Sequence, residues 1–132
     1  MPESIQHQQL VEQIKKEFES IIASDYRCFV CCDSATSAYL PPKTNDGYRP
    51  DVYYQYEDFL LIGEAKTSKD VEKRHSREQY ETYVKECASF HGQAFLFLAV
   101  PWAEHATAHN ILWKLKKRYP GNYTIKILKC LR

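Results

Sequence analysis

The stretch Pro50-Asp51-Val52-Tyr53-Tyr54-Gln55-Tyr56-Glu57-Asp58-Phe59-Leu60-Leu61-Ile62-Gly63-Glu64-Ala65-Lys66 decides the fold. β-Branched and aromatic residues crowd Val52 to Tyr56, and a nearly continuous apolar run begins at Phe59. Both compositions favour strands, the second one covered on both faces. Glu57 and Asp58 leave only a short acidic link, so the spacing predicts a tight hairpin with arms over 50–56 and 59–66. Asp51 then stands at the entrance of one arm, with Glu64 and Lys66 at the exit of the other. The turn brings these outer ends side by side. Glu64 and Lys66 are two apart and project from one face, while Ala65 points away. Charged residues closing an apolar strand are costly unless they serve a purpose, which sets this trio apart from an ordinary solvated ion pair.

Working outward, Val11, Ile14, Phe18, Ile21 and Ile22 recur at helical spacing, which predicts an amphipathic first helix from Pro2 to about Ala23. The apolar run Tyr26 to Cys32 reads as a first strand. Asp33 to Arg49 reads as a long loop, with Pro41, Pro42, Asn45, Asp46 and Gly47. Beyond the hairpin, Ser76 opens a helix to about Phe90, and Gln93 to Val100 is a buried strand that Pro101 stops. Ala103 to Tyr119 is a third helix and Tyr123 to Cys130 a last strand. The order is αβββαβ followed by αβ, an α/β fold with a mixed sheet. A chain of 132 residues without repeats or a linker is expected to form a single domain over 1–132.

Lysine and arginine total 18 against 17 acidic residues, so no global charge draws the chain to phosphate, and any such affinity must come from local clusters. Five cysteines are an odd number. Cys31 and Cys32, adjacent on a strand, would face opposite ways and chelate one ion poorly, so free thiols in a reducing compartment are expected rather than structural zinc. The N-terminus lacks a basic start followed by an apolar core, and no apolar stretch reaches the roughly 18 residues of a membrane span. These features predict a soluble, intracellular (cytoplasmic) protein with no membrane partner.

The converging trio has the chemistry of metal-assisted phosphodiester hydrolysis. Paired carboxylates supply oxygen ligands for Mg²⁺ or Mn²⁺, ions that keep several waters and also hold phosphate. Such a metal polarises a phosphoryl oxygen and lowers the pKa of a bound water. Lys66 would orient or deprotonate that water, or neutralise charge developing on the phosphate.

Pro50-Asp51, followed thirteen positions after the aspartate by Glu64-Ala65-Lys66, resembles the PD-(D/E)xK signature of the restriction endonuclease-like nucleases. That superfamily has an αβββαβ core, the order read above from the residues. The resemblance spans roughly Glu3 to Val100 and leaves the last helix and strand as a C-terminal α-β extension. Gln79-Tyr80-Glu81-Thr82-Tyr83 is similar to the Q-x-x-x-Y accessory motif of the recombination-exonuclease and type I restriction branches. Positions four apart share a helix face, so Gln79 and Tyr83 can both point at the metal edge; a solvated Gln79 and a core Tyr83 are the competing reading. Gly47-Tyr48-Arg49-Pro50-Asp51 resembles the approach to the catalytic aspartate in type I restriction subunits. The resemblance implies Asp51, Glu64, Lys66 and Gln79 as catalytic residues and Asp51, Glu64, Ala65 and Glu12 as metal-binding positions.

Glu12 enters because many members add a first-helix glutamate, and Glu3, Glu12, Glu17 and Glu19 compete for that role. The active edge lies about 23 Å from the start of the first strand. An antiparallel helix covers that distance in roughly fifteen residues. Counting back from Ala23 reaches Gln8, and Glu12 is the nearest acid. For substrate, Lys69, Lys73, Arg74 and Arg77 bracket the connector after the motif and are expected, with Tyr83, to hold phosphates beside the metal. His105 and His109 are four apart on the third helix but lack a third ligand. Lys114, Lys116, Lys117 and Arg118 suit the helix dipole. The expected function is a Mg²⁺- or Mn²⁺-dependent deoxyribonuclease, RNA remaining open as a substrate, and a non-catalytic nucleic-acid-binding or scaffold module is the alternative. A homodimer or a larger complex is expected by family analogy alone.

Overall fold

The computed structural model describes residues 4–33 and 39–130. Glu3 and residues 34–38 of the expected loop lie outside the described residues. Three helices, α1 (Ile5–Ile21), α2 (Arg74–Ser89) and α3 (His105–Arg118), flank a sheet of five strands. The strands are β1 (Cys31–Cys32), β2 (Val52–Tyr56), β3 (Phe59–Ala65), β4 (Gln93–Pro101) and β5 (Thr124–Cys130), and they lie in sequence order across the sheet. β1, β2 and β3 pair antiparallel, whereas β4 runs parallel to both β3 and β5. The fold is therefore α/β with a five-stranded mixed sheet, and α2 and α3 are the crossovers that parallel neighbours require.

The hairpin forms as its composition implies. Tyr56 pairs with Phe59 and Val52 with Gly63. Glu57 takes the left-handed region at φ 52°, as the first central position of a two-residue hairpin turn requires. Side chains alternate between the two faces of the sheet. Leu61 and Ala65 of β3 pack with Phe97 and Ala99 of β4 under Leu10, Ile14 and Phe18 of α1. Leu60 and Ile62 pack with Leu96 and Leu98 under Tyr80, Tyr83 and Val84 of α2 and Leu112 of α3. Gly63 lets α1 approach: a Cβ there would lie 2.5 Å from Ile14 Cγ2 and 3.3 Å from Phe18 Cζ.

The expected first strand over Tyr26 to Cys32 is corrected by the structure. Ser24–Phe29 winds into a 3-10 helix and only Cys31–Cys32 joins the sheet. Arg27 Nε donates to the Ile22 carbonyl at 3.2 Å and so holds the turn against the end of α1. Tyr26 and Phe29 stay exposed, and Tyr26 packs its ring 4.8 Å from that of Tyr56 instead of entering the core. β4 runs one residue past its expected end, since Pro101 still pairs with Cys130. The five cysteines are all free, with Cys32 and Cys87 buried and Cys28 exposed. No helix among the described residues is long and apolar enough to cross a membrane.

Candidate active site

The end of the β2–β3 hairpin gathers the residues that the sequence places there. Asp51, immediately before β2, is buried and accepts the Ala65 main-chain N–H on Oδ2 at 2.9 Å. Its carbonyl accepts the Asp33 N–H at 2.9 Å. Glu64 is only 3 % exposed. Lys66 extends from the same face of the strand, with Nζ 3.3 Å from Glu64 Oε2. The Lys66 main-chain N–H donates to the Ala99 carbonyl at 3.0 Å, which holds the motif against β4.

From α2, Gln79 accepts a hydrogen bond from Lys66 Nζ on Oε1. Gln79 thus binds the motif lysine rather than standing in solvent. Tyr83, one turn further along, is fully buried. Its hydroxyl lies beside Glu64 and Gln79, and burial together with the Glu64 and Asp51 charges raises its pKa far above the ordinary phenol range. Tyr83, expected from the sequence to meet phosphate, is thus placed against Glu64 with no exposed surface.

Glu64 is strongly perturbed electrostatically. Burial, with Asp51 adding repulsion, pushes its carboxyl pKa up to about 8 against the opposing pull of Lys66. Glu64 Oε1 has no hydrogen-bond partner among the described residues, and neither has the Tyr83 hydroxyl. A buried, unpartnered carboxylate oxygen is costly for the protein alone. A divalent cation fits it: Asp51 and Glu64 supply two hard oxygen donors, and Mg²⁺ commonly binds through one or two carboxylates and retains water elsewhere. Ala65, between them, has only main-chain polar atoms to offer, and its N–H is already given to Asp51. No cluster of three or more His, Cys, Asp and Glu side chains disposed around one metal occurs among the described residues, so a cation here would rely on these two carboxylates, main chain and water.

The first helix contributes a different residue from the one expected. Glu12 is not brought to the site: its side chain is 58 % exposed and pairs with Lys15 at 3.5 Å. Glu17 reaches Lys126 on β5 at 3.8 Å, and Glu19 is exposed. His7 instead places Nε2 3.3 Å from Asp51 Oδ2. Ser4 fixes His7 in the first turn, because its hydroxyl accepts the His7 main-chain N–H at 3.1 Å. The length count that ends at Gln8 located this turn correctly; restricting the choice to acids missed the imidazole beside it.

The basic connector is less available than its composition suggests. Lys73 pairs with Asp70 at 2.8 Å, Arg74 with Glu78 at 3.7 Å, and Arg77 with Glu72 at 3.9 Å. Lys69 is exposed and makes no ion pair among the described residues. Exposed pairs of this kind are weak, so a phosphate can displace the carboxylates, but the connector is a balanced surface rather than an unpaired basic patch. The loop before the motif is anchored on α2: the Thr82 hydroxyl donates to Asp46 Oδ2 at 2.9 Å, and the Tyr48 hydroxyl lies 3.3 Å from Glu78 Oε1.

Comparison with protein-family models, with curated proteins and with solved structures finds no match for this chain.

Proposed function

We propose that the chain is a metal-dependent nuclease of the PD-(D/E)xK type, hydrolysing phosphodiester bonds in DNA with Asp51, Glu64 and Lys66 as its working trio. The observation that carries this reading is a buried carboxylate pair beside a lysine, with Glu64 Oε1 lacking a hydrogen-bond partner among the described residues. The sheet order and the helices between its strands accord with a restriction endonuclease-like core extended by α3 and β5.

Bound Mg²⁺ or Mn²⁺ would supply Lewis acidity towards the scissile phosphate and lower the pKa of water. The protein's own groups do the remaining work. Asp51 is held rigidly by the Ala65 N–H, so its carboxylate is already oriented. Glu64 is destabilised as an anion by burial and by Asp51, and a cation relieves both effects. Lys66 presents N–H donors at the same edge, placed to orient water or to offset charge on a phosphate oxygen. Gln79 restrains the Lys66 ammonium, and Tyr83 backs Glu64, so both are positioning residues.

The test incubates the purified chain with single-stranded, duplex, flap and four-way DNA in Mg²⁺ or Mn²⁺. Cleavage is expected with at least one substrate, abolished by Asp51→Asn and by Lys66→Ala. Cleavage that persists in either variant would refute the assignment. DNA binding without Mn²⁺ binding in calorimetry would establish a non-catalytic module instead.

A further inference from the structure

The outer flank of α3 carries an aromatic ladder that the trio does not use. His105, His109, Trp113 and Lys117 recur every four residues, so they share one face of the helix. The His109 and Trp113 rings stack with centroids 4.8 Å apart and planes 16° apart, and those of His105 and His109 lie 6.4 Å and 22° apart. Trp113 is 44 % exposed, and Trp102, in the 3-10 turn (Trp102–Glu104) leading into α3, is 63 % exposed. Lys116 Nζ lies 6.0 Å from the Trp113 ring centroid.

Ring pairs at this spacing stabilise a helix slightly, which would account for the histidines and Trp113. It does not account for Trp102, which lies outside the helix and leaves a large apolar surface in water. The charges on this flank are mostly positive. Among the described residues Lys116, Lys117 and Lys129 stand there with Glu104, and neither Lys117 nor Lys129 has an ion-pair partner among them. Burial, with Lys129 and His109 adding to it, lowers the His105 imidazole pKa, which favours the neutral ring.

The ladder begins at the catalytic end of the sheet. β3 and β4 run parallel, Ala65 pairs with Ala99, and the Ala99 carbonyl accepts the Lys66 N–H. Trp102 follows Ala99 by three residues, within roughly 10 Å along the chain. From there α3 carries the rings back across the sheet, about 12 Å from His105 to Trp113.

We propose that Trp102, His105, His109 and Trp113 form a stacking track for single-stranded DNA leading to the Asp51–Glu64–Lys66 edge, with Lys117 and Lys129 meeting its phosphates. Bases stack on exposed aromatic rings whatever their identity, and flanking lysines follow the backbone, the combination used by sequence-tolerant single-strand binders. The track names the substrate form and so rests on the nuclease reading.

Trp102 and Trp113 are the only two tryptophans in the chain, so tryptophan emission, excited selectively over that of the ten tyrosines, reports on the track. The experiment titrates the full chain with a twelve-nucleotide oligo-dT in EDTA, where no cleavage is required. Saturable quenching that weakens with added salt is expected, with little response to a duplex of equal length. Trp113→Ala and Trp102→Ala should each weaken oligo-dT binding by about 5- to 100-fold, and Trp113→Phe should retain most of it. Absence of quenching, affinity unchanged in both alanine variants, or quenching by oligo-rU but not oligo-dT would overturn the proposal. Cleavage assays separate the two ideas: cleavage by a chain that does not quench defeats only the track. Quenching by a chain that cleaves nothing in any metal upholds the track and defeats the nuclease reading.

Discussion

Glu64→Gln tests the electrostatics of the site without relying on catalysis. A carboxyl whose pKa rises from its ordinary value of 4.5 to about 8 on folding keeps a proton in the folded state that the unfolded chain has released. Stability is therefore fully present below pH 4.5 and is lost as the pH rises through 8. For these two values the loss between pH 5 and pH 8 is on the order of 3–4 kcal/mol. Asp46 and Asp70 act in the opposite sense and outside this window. Hydrogen bonds from Thr82 to Asp46 and from Lys73 to Asp70 hold their carboxyls below the usual range, so their contribution is lost only as pH falls below about 4. Glutamine does not titrate, so the variant should gain on the order of 3–4 kcal/mol on the wild type between pH 5 and pH 8, background titrations cancelling in the difference. The assay is urea unfolding followed by far-ultraviolet circular dichroism in EDTA, at pH 5, 6, 7 and 8. Mn²⁺ should flatten the wild-type slope, since the cation replaces the proton, and leave the variant unaffected. Parallel stability curves for the two chains in EDTA would refute the claim that Glu64 is held protonated.

His7→Ala should weaken Mn²⁺ binding by about 10- to 100-fold, the usual cost of losing a partner that orients a metal ligand, whereas Glu12→Ala should leave it within about twofold; calorimetry at pH 8 checks both, and the reverse ranking would restore Glu12. Tyr83→Phe removes a polar hydroxyl that lies beside Glu64, without a hydrogen-bond partner among the described residues, and favours the Glu64 anion, so the pH midpoint for Mn²⁺ binding should move upward; an unchanged midpoint would free Tyr83 from that role. Gly63→Ala should cost about 1–3 kcal/mol through overpacking against Ile14. Adding Ile14→Ala, itself expected to cost about 2–5 kcal/mol in the wild type, should cost clearly less in the Gly63→Ala background, and strict additivity in denaturant titrations would exclude the clash.

The hairpin and the crossover helices were legible because their signals are local and redundant. β-Formers on both arms, a two-residue acidic link and charges confined to the open end all agree, so Asp51, Glu64 and Lys66 could be placed together before any coordinates. The first strand misled because Tyr26, Phe29 and Val30 announce bulk and apolarity, not extension. Their burial depended on neighbours, and the segment lies at the thin edge of the sheet, where only Cys31 and Cys32 find partners in β2. The connector failed differently. Its cations were read without the acids spaced for them, although Asp70 with Lys73 and Arg74 with Glu78 fall at the helical intervals where ion pairs form. Tyr83 met the opposite fate: the helix face was right, but the depth of the core above Glu64 cannot be read from a spacing of four.

Gly63 and His7 belong to one device. A strand position facing a helix normally carries a side chain that sets the distance between layers, and here that side chain is missing at the residue before Glu64. Without a Cβ at Gly63, Ile14 settles directly onto β3. His7 lies seven residues before Ile14, two turns along the same helix, so the close approach that Ile14 makes is passed on to the imidazole at the sheet end. Holding α1 further off would move His7 Nε2 away from Asp51 Oδ2, already at 3.3 Å, beyond useful contact. Gly63→Ala should therefore affect the site as well as the fold, lowering Mn²⁺ affinity even where the variant is still fully folded. Wild-type Mn²⁺ affinity in a folded Gly63→Ala chain would mean that His7 reaches Asp51 independently of how α1 packs.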